Sequence, residues 1–129
     1  MKMNKTLYHS DIYYDQHQWI CKLTFTREKI NSLVEDVKDM LQDPFTEEIH
    51  EPLKMIKGKL LHLNQEIDKK LNFLNNYSFL VERYEEVHPL SACTGSYQKH
   101  TMMNHAIEML LNDYEGLKRE VYAYMLKYV

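Results

Sequence analysis

Histidine is the side chain whose number invites a chemical reading in this 129-residue chain, which carries seven of them. Neutral imidazole ligates zinc, iron, copper or nickel, and three protein ligands with an open position permit chemistry on a bound water. His9, His88 and His100 fall at inward positions of the helices derived below, one per helix, at a common end of the bundle. Glu85, one turn before His88, can add a carboxylate. His17, His62 and His105 fall on outward positions. The set predicts a metal site for zinc or iron at one bundle end. Against it, wet helix ends ordinarily carry polar residues and this spacing matches no ligand motif, so the leading expectation is a protein without a cofactor.

Other chemistry is weaker. Glu47 with His50 and Glu85 with His88 form two Glu-x-x-His pairs, the unit of di-iron carboxylate bundles, but those bundles carry the pairs on two separate helices. Here both belong to one helix, at opposite ends, and cannot meet within one chain. Cys93 with His88 or His100 is a conceivable nucleophile and base, although a lone loop cysteine is more often incidental. No Gly-rich phosphate loop, G-x-S-x-G or H-E-x-x-H is present. No catalytic residue is assigned.

The elements that position these residues follow from periodicity. Met103, Ile107, Leu110, Tyr114, Leu117, Val121, Tyr124 and Tyr128 alternate spacings of four and three, an unbroken seam on one helix face. A first seam runs Ile12, Gln16, Trp19, Leu23, Thr26, Ile30, Leu33, Val37, Met40, broadened by Tyr13, Ile20, Val34 and Leu41. Ser10 can cap this helix and Asp43-Pro44 ends it, because the residue before proline is pushed out of helical conformation. A second seam runs Leu53, Ile56, Leu60, Leu63, Ile67, Lys70, Leu74, Tyr77, Val81, Tyr84. Lys70 interrupts it, and Leu71 and Phe73 are expected to take over the contact. Asp43 as cap with Pro44 at the first position can start another helix directly. Pro52 in its interior, however, would cost about 3 kcal/mol, so residues 43–51 read as a connection with at most a helical turn and the main second helix starts near Pro52; the alternative is one helix kinked there. Gly58 can mark close packing. Pro89 to Ser96 reads as a loop, with Ser96 or Thr101 capping the last helix. The fold expected is all-α: an antiparallel, coiled-coil-like bundle of three long helices, of about 33, 36 and 32 residues and roughly 50 Å each, in one domain spanning 1–129. Three helices can close a core alone, or two chains can pair into a larger bundle as a dimer.

Composition narrows the function. A formal charge of −3 argues against a nucleic-acid binder, the lysines at 54, 57 and 59 read as a solvated face, and the seam tyrosines read as core, not as a stacking platform. No signal-like or membrane-length apolar run occurs, and two cysteines, Cys21 and Cys93, make no disulfide framework. A cytoplasmic protein with neither nucleic-acid nor membrane partners is expected. Phe25, Phe79, Met55, Met109 and Tyr122 fall on positions that the seams do not bury, so Phe25, Phe79, Met109 and Tyr122 are candidate interface residues.

The stretches Gln16 to Ile30 (QHQWICKLTFTREKI) and Tyr114 to Val129 (YEGLKREVYAYMLKYV) resemble parts of small helical proteins common in Bacteroidota. The resemblance implies a helical, cytoplasmic protein and carries over no site residues. The function expected is therefore a non-catalytic helical interaction or scaffold protein that meets itself or a helical protein partner. The alternative is a metal-binding bundle using His9, His88 and His100.

Overall fold

The computed structural model describes the backbone of residues 9–87 and 92–128, and the side chains of 14–76 and 100–128. Three helices, α1 (His9–Gln42), α2 (His50–Val87) and α3 (Ala92–Lys127), pack side by side, and a short 3₁₀ helix, Pro44–Ile49, joins the first two. There is no strand among the described residues. The chain runs up, down and up, as cross-helix pairs show. Arg27 meets Asp68 at 2.8 Å and Asn64 Nδ2 donates to Asn31 Oδ1 at 2.7 Å, so α2 returns antiparallel to α1. Trp19 Nε1 donates to Asn104 Oδ1 at 3.1 Å and His100 meets Asp15 at 2.7 Å, so α3 runs parallel to α1 with one constant offset.

The seams lie where periodicity puts them. Leu23, Ile30 and Val37 of α1, Leu53, Leu60, Ile67 and Leu74 of α2, and Ile107 and Val121 of α3 are fully enclosed, and Trp19, Leu63, Leu71, Tyr114 and Leu117 are buried around them. Each such leucine or isoleucine stabilises the fold by about 1.5–3 kcal/mol through area removed from water. Met103, Leu110, Tyr124 and Tyr128 close the open side of α3's seam, half-buried against the core. Of the two residues expected to cover for Lys70, Leu71 is buried but Phe73 is exposed, because it stands on the edge of α2 that faces the solvent side of α3. Ile12, Tyr13, Tyr77, Val81 and Tyr84 have side chains outside the described residues.

The corner between α1 and α2 is a polar knot. Asp43 leaves helical geometry, with φ −86° and ψ 119°, and its carboxylate accepts from the Phe45 N–H at 2.9 Å. Thr46 is buried, and its hydroxyl is shared between the carbonyls of Met40 and Asp43. His50 Nε2 lies 3.2 Å from the Asp43 carbonyl, which can only accept, so Nε2 carries the proton and donates there and toward Thr46 Oγ1 at 3.1 Å. The Asp43-Pro44 stop thus holds, and Asp43 caps a new helical segment with Pro44 at its start; that segment, Pro44–Ile49, is kinked at Thr46 (φ −107°, ψ 18°), and α2 begins at His50, two residues before Pro52. Pro52 costs little there, since the first-turn N–H groups have no intrahelical acceptor to lose. Likewise α3 begins at Ala92, ahead of the expected caps at Ser96 and Thr101.

Thr46→Val should lower stability by about 1–3 kcal/mol, because it removes a buried hydroxyl that joins the Met40 and Asp43 carbonyls to the His50 ring; urea unfolding at neutral pH reads it, and an unchanged midpoint would show that the knot is incidental. Alkali should weaken the bundle. Burial holds the Tyr114 hydroxyl above its usual range, a hydrogen bond to Glu48 does the same for Tyr128, and a hydrogen bond to Glu115 raises Lys118. The fold keeps these protons more tightly than the unfolded chain does, so the stabilisation is complete below about pH 10 and is lost as pH climbs above it. Tyr114→Phe with Tyr128→Phe should shrink the fall in urea midpoint between pH 8 and pH 11; a fall as steep as wild type contradicts the assignment.

Candidate functional site

Of the four side chains in the expected metal set, only His100 is described in full; those of His9 and Glu85, and the whole of His88, lie outside the described residues. His100 has another partner. Its Nε2 sits 2.7 Å from Asp15 Oδ2, and its ring lies against Trp19, centroids 4.9 Å apart at 45°. With the Trp19 to Asn104 hydrogen bond one turn further along, this makes a clasp between α1 and α3 in which Trp19 is buried, Asp15 and His100 are half-buried and Asn104 is exposed. Among the described residues no three His, Cys, Asp or Glu side chains lie close enough together to hold a metal. His17, His62 and His105 are exposed, as their outward positions require, and His50 is part of the α1–α2 corner.

The exposed apolar residues sort onto two different faces. Tyr122 lies on the edge where α1 meets α3, in a cleft with Lys29, Ser32 and Tyr114. Phe25 is one heptad before Ser32 on the same edge, under the Lys29 ammonium at 4.4 Å. Met109 belongs elsewhere. It lies one heptad from Met102 and one from Gly116, both of which line clefts between α2 and α3. Met55 stands on the facing edge of α2, one heptad before His62 of the same cleft wall. The side chain of Phe79 is outside the described residues.

Two adjoining clefts open between α2 and α3. One cleft of about 610 Å³ is framed by Gly58, Lys59, His62 and Glu66 of α2 and by Leu110, Asp113, Gly116 and Glu120 of α3. A second, of about 460 Å³, continues the groove between Lys69, Lys70 and Phe73 on one side and Met102, Met103 and Ala106 on the other, with Trp19 and His100 at its floor. Gly58 is not the close-packing residue its place suggested: a Cβ at Gly58 or at Gly116 would meet nothing within 4 Å. Each glycine in a helix interior costs about 1 kcal/mol against alanine, and here neither is offset by a neighbour in its own chain. What they do is deepen the groove between them.

Charge is divided across it. The α2 edge carries Lys59, His62, Lys69 and Lys70 around a single carboxylate, Glu66, which is paired to Lys69 at 3.1 Å and held below its usual range by that hydrogen bond and by the lysine charge. The α3 edge carries Asp113 and Glu120. Met102 and Met109, at 72% and 54% exposure, are the apolar part of the α3 edge. The individual residues were visible in the sequence, but their sharing of one groove depends on the α2–α3 register, which no single-helix pattern reports.

No protein-family model, no curated protein and no solved structure matches this chain. Among the described residues no helix is long and apolar enough to cross a membrane.

His100→Ala should lower stability by about 1–3 kcal/mol, since it leaves the Asp15 carboxylate without its partner and uncovers Trp19. Trp19 is the only tryptophan, so its emission should move to longer wavelength in the folded variant. Unchanged emission and stability would mean that the clasp contributes nothing.

Proposed function

We propose that this protein is a non-catalytic helical interaction protein and that its docking surface is the α2–α3 groove. The observation that carries this reading is the outer row of α3, where Met102 and Met109 stand exposed at heptad spacing beside an open groove. A helix laid into such a groove contributes side chains at the same repeat, which is how amphipathic helices are recognised. Methionine suits the task, being flexible and polarisable enough to fit against varied apolar surfaces. Basic residues on one wall and acidic residues on the other give a docked helix an orientation as well as an affinity. The compartment in this reading is the cytoplasm, in keeping with the exposed free thiol of Cys21.

Met102→Glu with Met109→Glu tests the reading. Both positions are exposed, so the variant should keep the helical circular dichroism and urea midpoint of the parent to within about 0.5 kcal/mol. It should nevertheless lose the parent's self-association, read as native mass by light scattering, or its binding of a helical protein partner. A variant that keeps all of the parent's associations sinks the assignment of this face.

A further inference from the structure

We propose that the groove between α2 and α3 is covered by α3 of a second copy of this chain, lying antiparallel to the α3 that it meets; the proposal rests on the interaction reading above. The outer row of α3 runs Met102, Met109, Gly116, Ala123 at heptad spacing: two long side chains, then two of the smallest. A two-fold axis perpendicular to α3, passing beside it at the level of Asn112 and Asp113, sets Met109 of each copy over Gly116 of the other, and Met102 over Ala123. Large meets small along the whole contact, the self-complementarity that a two-fold interface needs. A parallel copy in register sets methionine on methionine and leaves glycine facing glycine. The open space above Gly116 is the seat this arrangement fills, since nothing in its own chain stands within 4 Å of a Cβ there.

Charge supports the same placement. The register that sets Met109 over Gly116 brings Glu120 of the second copy level with Lys69, and Asp113 of the second copy level with His62. Acidic edge then meets basic edge on both sides of the axis. Two like-charge approaches stand against it, Asp113 with its own counterpart beside the axis and Asp113 of the second copy with Glu66; His62 lies at the level of the first and the Glu66 charge is paired to Lys69. Within a single chain Lys69 shares a cleft with Ala106; Glu120 lies ~14 residues further along α3, about 21 Å away. Any energetic coupling between Lys69 and Glu120 must therefore act between copies.

The test is a charge swap in the full chain. Wild type should show a native mass of twice 15.6 kDa at tens of micromolar. Lys69→Glu and Glu120→Lys, each alone, make both two-fold-related contacts repulsive and should raise the dimer dissociation constant at least about tenfold. Mixing the two single variants makes both contacts attractive again and should restore the dimer. Gly116→Leu fills the seat and should give a monomer whose thermal midpoint is not lowered. The proposal is overturned if the single variants keep the wild-type mass, if their mixture stays monomeric, or if wild type is a monomer throughout. A monomeric wild type in which Met102→Glu with Met109→Glu still abolishes binding of a different helical protein removes the second copy and leaves the interaction reading in place.

Discussion

A heptad seam satisfies itself equally well after a slip of seven residues, so apolar repetition cannot decide how far along α1 the returning α2 should lie. Polar pairs decide it. The Asn31–Asn64 amide pair and the Arg27–Asp68 ion pair both sit at the observed register, and a one-heptad slip would leave the half-buried Asn64 without its acceptor. The corner at Asp43, Thr46 and His50 enforces the same choice from the end of the hairpin, because it fixes how many residues are used in turning. Exposed ion pairs add little by themselves; here their value is in excluding neighbouring registers.

Once α1 and α2 are set, α3 has one slot. The Asp15–His100 and Trp19–Asn104 pairs anchor it at one end, and the Tyr128 hydroxyl donates to Glu48 at 2.6 Å at the other. Bundles of this kind bury a stripe of each helix and leave the opposite side free, so their functional surfaces are grooves between helices, not pockets closed by loops. The α2–α3 groove is deeper than packing requires because Gly58 and Gly116 stand on opposite walls of it.

The three seams, the all-α class and the stop at Asp43-Pro44 were readable in the chain because they rest on local periodicity and on proline geometry. Pro52 marked the start of α2 to within two residues, because proline is tolerated in a first turn and costly in an interior. Phe73 misled because it stands next to an interrupted seam position but on the solvent edge. His100 could be placed inward, while its partner Asp15 could not be named, since 85 positions separate them and only the α1–α3 offset brings them level. For the same reason Phe25 and Tyr122 looked like companions of Met109, whereas the fold puts the first two along the α1–α3 edge and the third in the helix row of Met102 and Gly116, which line the α2–α3 groove.

An antiparallel second copy on the outer row of α3 fixes the separation of like positions in the two chains, so a distance between copies decides whether it is there. Single spin labels would be placed at Asn112 or at Leu126 in a chain with Cys21 and Cys93 changed to serine, and electron–electron dipolar coupling measured. The antiparallel arrangement predicts a short separation, under about 20 Å, at position 112, and a long one, roughly 40 Å, at position 126, which lies ~27 residues from the level of its counterpart. Short separations at both positions would mean a parallel pair, and no coupling at either would mean no pair at all; either result contradicts the account.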